Sequence, residues 1–295
     1  MNKPQIIGIG LSGLIGSRIV ELLSDKYEFI DLSIATGIDI TKKETLEAVK
    51  NYKNAKYVLH LAAKADVDDC EKDKNLGKEG DAWKINVIGT ENVVNLCLSE
   101  KKIMIYISTD AVFDGTKKQG EKYSEEDIPN PINWYAKTKY EGEKVVMESG
   151  IGYLIARLAY PYRAQYEIKK DFVRVFLDIL DKGLAIKAVT DHIFCPTFID
   201  DIAFAIDALV KNNTRGIYHV VGSSGVTPYE AALKIAEVFG LNKNLIGRTT
   251  REEFFKDRAP RPFNSALQNG KIEALGVKMS TFEQGLIKIR KQLKI

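Results

Sequence analysis

Cysteine and histidine are scarce in this 295-residue sequence, with three of each. They are Cys70, Cys97 and Cys195, and His60, His192 and His219. The cysteines are far apart and show no Cys-x-x-Cys spacing, so neither a disulfide framework nor a zinc site is expected. No two histidines have the spacing of a ligand pair, so we expect no metal site.

The chain also lacks an excess of charge of either sign and any long apolar run. Its 43 basic and 40 acidic residues are mixed along the sequence and give a formal net charge of +3. A nucleic-acid-binding protein would need a concentrated basic face, so that class is not expected. No stretch approaches the roughly 18 apolar residues of a membrane span, and no secretory signal precedes the first glycine turn. These features predict a globular cytoplasmic protein that binds neither nucleic acid nor membrane.

What the sequence does contain is a regular alternation of strand and helix patterns through its first half. Short apolar runs at residues 6–9, 57–61 and 103–107 are separated by helical patterns, for example at 15–23 and 135–148. Continuous apolar strands between helices are typical of a parallel sheet that is covered on both faces. We therefore predict an α/β fold with a doubly wound parallel sheet of the Rossmann type.

The pattern becomes less regular after about residue 158, which indicates a second, smaller unit. We assign residues 1–160, with about 186–222, to a dinucleotide-binding Rossmann domain. Residues of about 161–185 and 223–295 are assigned to a C-terminal substrate-binding domain that is interleaved with it. Residues 71–81 are highly charged and are expected to form a mobile loop.

Gly10, Gly13 and Gly16 lie between the first strand pattern and the first helix pattern. Glycines at this spacing allow a tight turn, a close approach of a pyrophosphate, and close packing of the helix on the sheet. The N-terminus of the helix then offers free N–H groups to the phosphates. The alternative is a tight turn that binds no ligand.

The residues that would bind the adenosine end of the cofactor are less clearly indicated by the sequence. Ser33 lies at the tip of the second strand pattern and would not repel a 2′-phosphate, but no arginine follows closely. NAD and NADP both remain open, with NADP slightly favoured. Asp39 and Ile40 are candidates for an adenine contact, and the alternative is a helix N-cap at Asp39 or Thr41.

Three residues form a candidate catalytic group. Thr109 comes at the end of a buried strand pattern, where open α/β sheets bind ligands. Tyr135 and Lys139 are four residues apart, so both point from one face of a helix. A tyrosine needs a nearby cation to act as an acid–base group at neutral pH, and Lys139 is placed to supply it.

Three further segments make the sequence similar to a known family. They are residues 62–71 (AAKADVDDCE), 108–115 (STDAVFDG) and 261–267 (RPFNSAL). With the glycine turn and the Tyr135-x-x-x-Lys139 pair, these segments resemble extended short-chain dehydrogenase/reductases, and more closely the dTDP-4-dehydrorhamnose reductase branch. The similarity covers essentially the whole chain.

The resemblance implies a role for each matching residue. Tyr135 would donate a proton to a ketone oxygen, Lys139 would lower the pKa of that tyrosine and hold the nicotinamide ribose, and Thr109 would orient the carbonyl. The residues implied to bind the cofactor are Gly10, Gly13, Leu14, Ile15, Gly16, Ser33, Asp39, Ile40, Leu61, Ala62, Ala63, Tyr135, Lys139 and Tyr160. Those implied to contact the substrate are Asp110, Val112, Arg261 and Asn264. For Asp110 a structural carboxylate, and for Arg261 a surface arginine, are the alternatives.

Two segments depart from the branch. Residues 157–162 (RLAYPY) are closer to nucleotide-sugar epimerases and dehydratases, and Lys64 replaces an expected aromatic residue. The main hypothesis is NAD(P)H-dependent reduction of a nucleotide-activated 4-keto-deoxysugar, such as dTDP-4-dehydrorhamnose. The alternatives are a nucleotide-sugar epimerase or dehydratase, and a non-catalytic dinucleotide-binding subunit resembling the regulatory subunit of methionine adenosyltransferase. A homodimer is compatible with each of these.

Overall fold

The computed structural model describes residues 3–294, which form an α/β fold built on one large parallel sheet. The strands are β1 (Gln5–Ile9), β2 (Glu28–Asp31), β3 (Tyr57–His60), β4 (Ile103–Thr109), β5 (Tyr153–Leu158), β6 (Pro161–Tyr162), β7 (Ile186–Val189), β8 (Thr197–Phe198), β9 (Gly216–His219) and β10 (Ile246–Thr249). The α-helices are α1 (Gly16–Leu23), α2 (Val67–Lys72), α3 (Asp81–Trp83), α4 (Thr90–Ser99), α5 (Trp134–Glu148), α6 (Phe172–Asp181), α7 (Ile199–Lys211), α8 (Pro228–Phe239), α9 (Arg251–Phe254), α10 (Gly270–Glu273) and α11 (Phe282–Leu293). None of the helices in this part of the chain is long and apolar enough to cross a membrane.

The central sheet has six parallel strands in the order β2-β1-β3-β4-β5-β9. The chain runs from β1 outward to β2 and then returns to the other side of β1 to form β3. This reversal leaves a crevice beyond the carboxyl ends of β1 and β3, where doubly wound sheets bind ligands. The predicted fold class is confirmed.

Each face of the sheet is covered by helices. One face packs against α1 and α7, through buried residues such as Ile19 and Ile202, and the other packs against α4 through Val93. Neighbouring residues of one strand face opposite sides, so Ile6 belongs to the first core and Ile7 to the second. This two-sided burial explains why the strand sequences are continuously apolar.

The second half of the chain forms a smaller layer beside the sheet. Helices α6, α8 and α11 surround a separate apolar core that includes Phe198 and Phe282. Strand β7 pairs with β10 and not with the central sheet, so residues 186–189 belong with this layer. The prediction placed residues 186–189 in the Rossmann domain. A strand pattern in the sequence does not specify which strand it pairs with, so this pairing could not be predicted. The division of the chain into two domains stays a prediction.

Residues 71–81, expected to be a mobile loop, are instead fixed by several hydrogen bonds. Helix α2 ends at Lys72, and a 3₁₀ helix follows at Lys74–Glu79. The Glu71 carboxylate accepts the N–H of Trp134, and Asp73 accepts the N–H of Ala82. The segment is therefore helical and not a loop, because two of its charged side chains, Glu71 and Asp73, turn inward and bind backbone N–H groups, while others such as Lys72 and Glu79 stay exposed.

A buried ion pair joins α5 to β5. Arg157 donates two hydrogen bonds to Glu143, at 2.9 and 2.7 Å, and both side chains are essentially inaccessible to solvent. Arg157 also lies 3.4 Å from Nε2 of His219 on β9. Burial lowers the pKa of His219 to about 3, so this imidazole is neutral and Nε2 accepts the hydrogen bond. One arginine thus connects the helix to two strands.

We predict that Glu143→Ala lowers the free energy of unfolding by about 3–5 kcal/mol, because it leaves the Arg157 charge buried without a partner. Urea unfolding followed by circular dichroism measures the loss. Glu141→Ala is the matched control, since Glu141 lies on the same helix and pairs with Lys144 near the surface. The control should cost less than about 1 kcal/mol. Equal losses in the two variants would contradict the assignment.

Candidate functional site

The three glycines of the turn after β1 differ in what surrounds them. Gly10 has a φ of +89°, and a Cβ there would lie 2.9 Å from the backbone N of Ala62. A Cβ on Gly16 would lie 2.6 Å from Cα of Leu11. These two glycines are required by the packing of the chain on itself. A Cβ on Gly13 would meet only the Gly10 carbonyl, at 3.3 Å, so its bare backbone leaves space for a ligand.

The backbone at the start of α1 offers free hydrogen-bond donors. The N–H groups of Leu14 and Ile15 make no hydrogen bond to any residue from 3 to 294. No acidic side chain occupies the first turn of α1, and no side chain caps it. Free donors at a positive helix end, beside the bare Gly13 backbone, fit a pyrophosphate.

Leu61, Ala62 and Ala63, which follow β3, lie beside this turn. The N–H groups of Leu61 and Ala62 both donate to the carbonyl of Ile9, at 2.9 and 3.0 Å. The structure therefore brings this predicted cofactor segment to the glycine turn.

Arg163 and Tyr166, which the sequence did not indicate, make hydrogen bonds to residues of the glycine turn. Arg163 donates to the Leu14 carbonyl at 3.2 Å and to the Ser17 hydroxyl at 2.9 Å. The Tyr166 hydroxyl donates to the Ser12 carbonyl at 2.8 Å. Nothing in the local sequence pattern marks either residue, because both lie in the loop after β6 and reach the turn only through tertiary packing.

At the adenosine end, Asp31 is a candidate that the sequence pattern undervalued. Strand β2 ends at Asp31, whose Oδ2 accepts the Ser33 hydroxyl at 3.3 Å. Its Oδ1 is buried and has no partner among the described residues. Asp31 shares the strand face of Phe29, which packs against the core under α1, so this carboxylate lies on the side of the glycine turn.

Asp39 and Ile40 have structural contacts. The Asp39 carboxylate accepts the N–H and the hydroxyl of Thr41, at 3.0 and 2.7 Å, and these bonds lower the pKa of Asp39. Ile40 is buried against Gly89, and its carbonyl accepts the side-chain amide of Asn92. Asp39 therefore closes a turn onto Thr41 and is not the helix N-cap of the alternative, because the next helix begins at Lys43 with Lys42 as its N-cap. The Ile40 side chain is buried and is not available to an adenine ring.

Thr109 and Tyr135 lie together at the carboxyl end of β4, and Lys139 lies one turn further along α5. Thr109 is the last residue of that strand, and Asn133 begins α5 by accepting the N–H of Ala136 at 2.9 Å. Burial raises the pKa of the Tyr135 phenol, and a hydrogen bond with Thr109 partly opposes this rise. Burial lowers the pKa of Lys139 to about 7. The arrangement is an un-ionised phenol, a hydroxyl and a buried amine, which suits proton transfer to a carbonyl oxygen.

Asp110 connects this group to the C-terminal segment. Its carboxylate accepts the Thr109 hydroxyl at 3.1 Å and the Ser265 hydroxyl at 2.6 Å. Burial raises the pKa of Asp110 to about 6. Val112, by contrast, is fully buried in a core cluster with Phe113, so its side chain does not reach the site.

Arg261 is held by a carboxylate. Its Nη2 lies 2.9 Å from Asp68 on α2, and Arg258 donates to the same carboxylate through Nε at 2.8 Å. The guanidinium of Arg261 also stacks on the ring of Phe255, 4.8 Å from its centroid. This differs from the solvated surface arginine that was the alternative.

Asn264 has a structural role, in place of the predicted substrate contact. It is fully buried, and its amide donates to the carbonyls of Lys118 and Glu121 while its oxygen accepts the N–H of Ala266. All of its hydrogen-bonding groups are therefore used within the chain. The motif at residues 261–267 does not reveal whether the Asn264 side chain binds the protein chain or a ligand.

Tyr160 lies in a left-handed backbone conformation, with a φ of +42°, directly after β5. Its hydroxyl lies 2.8 Å from Nε2 of His192, whose Nδ1 lies 2.7 Å from the Pro262 carbonyl. Burial lowers the pKa of His192 to about 4, so the ring is neutral, Nδ1–H donates to Pro262, and Nε2 accepts from Tyr160. His192, which sequence reasoning did not select, thus links the predicted cofactor side to the segment that carries Arg261.

Within residues 3–294 no group of three or more histidine, cysteine or carboxylate side chains is arranged to hold a metal ion.

Comparisons with known proteins agree with this geometry. A family model described as the RmlD substrate binding domain matches residues 4–295. A dTDP-4-dehydrorhamnose reductase from Aggregatibacter actinomycetemcomitans is 28% identical over 97% of this chain and 98% of its own length. The methionine adenosyltransferase 2 subunit beta of Mus musculus is 31% identical over 78% of this chain and 68% of its own length. The structure of dTDP-4-dehydrorhamnose reductase from Bacillus anthracis, in complex with NADP, is 30% identical, with a TM-score of 0.89 over 99% of this chain and all of that one.

Gly13→Ala is expected to weaken dinucleotide binding at least about ten-fold while the protein stays folded, with a small loss of stability from the 3.3 Å approach to the Gly10 carbonyl. The added methyl group projects into the space left for the pyrophosphate, whereas the chain itself offers only the Gly10 carbonyl nearby. Titration calorimetry with NADPH and NADH measures the affinity, and thermal unfolding measures the stability. Gly270→Ala is the control, because no atom lies within 4 Å of its Cβ position and it is remote from the turn in sequence. Unchanged affinity in Gly13→Ala would show that the dinucleotide does not approach this glycine.

Proposed function

Because the chain belongs to the RmlD substrate binding domain family, we propose that it is an NAD(P)H-dependent reductase of a nucleotide-activated 4-keto-deoxysugar, of the dTDP-4-dehydrorhamnose type. The family match agrees with the resemblance to the dTDP-4-dehydrorhamnose reductase branch of the extended short-chain dehydrogenase/reductases. The observation that carries the proposal is the position of Thr109 and Tyr135 at the carboxyl end of β4, with Lys139 one turn further along the same face of α5.

The mechanism follows from the protonation states at the site. The bound dinucleotide supplies a hydride to the carbonyl carbon. Tyr135 is un-ionised at neutral pH because burial raises its pKa, so it can donate its proton to the carbonyl oxygen. The Lys139 cation stabilises the phenolate that remains, and the Thr109 hydroxyl orients the carbonyl. Hydride and proton together convert the ketone to an alcohol.

The nucleotide part of the substrate carries a diphosphate, for which the arginines near α2 are suitable partners. Arg261 and Arg258 share Asp68 in this structure. We propose that a diphosphate replaces Asp68 on Arg261, since a guanidinium pairs equally well with phosphate and carboxylate oxygens. Asp110 and Ser265, which lie beside Thr109, are the proposed contacts of the sugar.

The choice between NADH and NADPH depends on the end of β2. Ser33 tolerates a 2′-phosphate, whereas the unpartnered Asp31 oxygen suits the ribose hydroxyls of NAD. The relative from Bacillus anthracis was solved with NADP. Both cofactors are therefore included in the test below. A homodimer and a cytoplasmic location are part of the same proposal, and light scattering of the purified protein tests the first.

The experiment for the function is a parallel assay with dTDP- and UDP-linked 4-keto sugars and either NADH or NADPH. A reductase consumes one reduced cofactor for each sugar, which absorbance at the nicotinamide band reports. Conversion of a nucleotide sugar without net consumption would indicate an epimerase or dehydratase and would exclude the reductase. Absence of activity together with co-purification of a synthetase would favour the regulatory subunit, which the 31% identity to the methionine adenosyltransferase subunit makes the second candidate.

Tyr135→Phe should lower kcat by about 10²–10⁴-fold while dinucleotide affinity changes only a few-fold, because the lost hydroxyl acts in the transition state. Stopped-flow turnover and calorimetry give the two quantities. Tyr140→Phe, five residues further along α5, removes a hydroxyl from the same helix and should keep most activity. A Tyr135→Phe enzyme that turned over normally would show that another group donates the proton.

A further inference from the structure

The buried amine of Lys139 has an unusual environment. The residue is only 3% exposed, yet its Nζ makes no hydrogen bond or ion pair with the chain between residues 3 and 294. The group that lies against it is the face of the Tyr106 ring, with Nζ 4.0 Å from the ring centroid. Burying an ammonium costs free energy unless some group compensates for the lost water.

We propose that Tyr106 is a positioning residue whose ring face holds the Lys139 ammonium in place and keeps it charged before the dinucleotide binds. An ammonium within about 6 Å of an aromatic face is attracted by the ring quadrupole, and the attraction is stronger where water is excluded. The catalytic meaning of this contact rests on the function proposed above. The contact itself does not.

The nearest carboxylate is not free to take this role. Glu143 lies one helical turn after Lys139 and raises its pKa, but both carboxylate oxygens accept hydrogen bonds from Arg157. Glu143 therefore attracts the ammonium only through space, and burial outweighs that attraction in setting the Lys139 pKa.

Within residues 3–294, no other titratable or charged side chain makes a hydrogen bond or an ion pair with the ammonium, although Asp110, with a pKa of about 6, is largely ionised at neutral pH. The titratable and charged groups near it, on the elements packed against α5, are His60, Cys70, Tyr106, Asp110, Tyr135, Glu143 and Arg157. His60 lies beyond Tyr106, with the two ring centroids 5.7 Å apart. Burial and the Lys139 charge lower the pKa of His60 to about 3, so it adds no competing cation at neutral pH.

The ring is held in position by its surroundings. Tyr106 is fully buried in the middle of the sheet, and its hydroxyl donates to the backbone carbonyl of Lys139 at 3.4 Å. Gly142, one turn further along α5, allows this approach, because a Cβ there would lie 2.3 Å from the Tyr106 hydroxyl oxygen. The ring therefore contacts the backbone and the ammonium of the same lysine.

The direction of the expected effect follows from the charge. The ammonium loses its proton as pH rises, and burial already lowers the Lys139 pKa to about 7. Weakening the ring face would lower that pKa further, so the neutral amine would appear at a lower pH. If Lys139 must be charged for turnover, the alkaline limb of kcat/KM moves downward by the same amount.

The test changes the ring's electrons while keeping its shape. Tyr106→Phe retains the ring and removes the hydroxyl, and the matched variants carry 4-fluoro- or pentafluorophenylalanine at position 106, which weaken or reverse the negative face. In dinucleotide-free protein labelled with ¹³C-lysine, the Cε resonance reports the Lys139 pKa, and its absence in Lys139→Met assigns it. We expect Tyr106→Phe to stay near the wild-type pKa and the fluorinated variants to fall in order, by roughly 0.4–1.5 pH units in total.

The same Lys139 pKa in the phenylalanine and the fluorinated variants would overturn the proposal, since a purely structural ring would not sense fluorine. The graded series keeps the test decisive if the pentafluoro protein fails to fold, because the 4-fluoro variant still has to show an intermediate shift. The kinetic readout is the alkaline limb of kcat/KM in the same variants. A shift in the resonance without any reductase activity would support the contact and reject the proposed function. Reductase activity without a change in the Lys139 pKa across the variants would support the proposed function and reject the role of the Tyr106 ring.

Discussion

The buried ion pair between Arg157 and Glu143 is the interaction on which the arrangement of the site depends. It joins α5, which carries Tyr135 and Lys139, to β5, and through His219 it reaches β9. A buried ion pair of this kind is costly to desolvate, so it is stable only when its geometry is nearly ideal. The two hydrogen bonds from Arg157 to Glu143, at 2.9 and 2.7 Å, meet that requirement. Any displacement of the helix along the sheet would break it. The pair thereby fixes the register of the catalytic helix on the strands.

The same pair has a consequence for the electrostatics of the site. Glu143 is engaged by Arg157, so Lys139 is buried without a carboxylate of its own. Burial lowers the Lys139 pKa to about 7, Glu143 opposes this only in part, and the Tyr106 ring is the group that lies against the ammonium. Burial shifts the two pKa values in opposite directions, lowering that of the Lys139 amine and raising that of the Tyr135 phenol, so the phenol keeps its proton at neutral pH before any ligand binds.

Close backbone approaches explain the glycines around the site, and each has a separate physical reason. Gly10 and Gly16 let the turn pack on the chain itself, Gly142 makes room for the Tyr106 hydroxyl, and only Gly13 leaves an open space. A spacing motif in the sequence cannot separate these roles. The distinction needs the atoms that surround each missing side chain.

For the residues predicted to contact the substrate, the sequence also could not separate ligand contacts from structural contacts. The segment 261–267 was recognised as a unit, but Arg261 is an ion-paired guanidinium while Asn264 only fastens the loop. The same holds for Asp39 and Ile40, since Asp39 closes a turn onto Thr41 and Ile40 is a core residue. The identity of a polar residue in a motif does not show whether its side chain makes hydrogen bonds to a ligand or to the protein chain.

The sequence by itself determined the parallel sheet, the glycine turn, and the placing of Thr109 at a strand end with Tyr135 and Lys139 on one face of the helix α5. These follow from local periodicity and from the rule that strand ends in such a sheet share one edge. Asp31 could have been found in the same way, from its alternation with Phe29. Only the tertiary structure decided the pairing of β7, the links through His192 and Arg163, and the ring beneath Lys139. Those contacts join residues far apart in the chain, and no local pattern encodes which distant surface a side chain will meet.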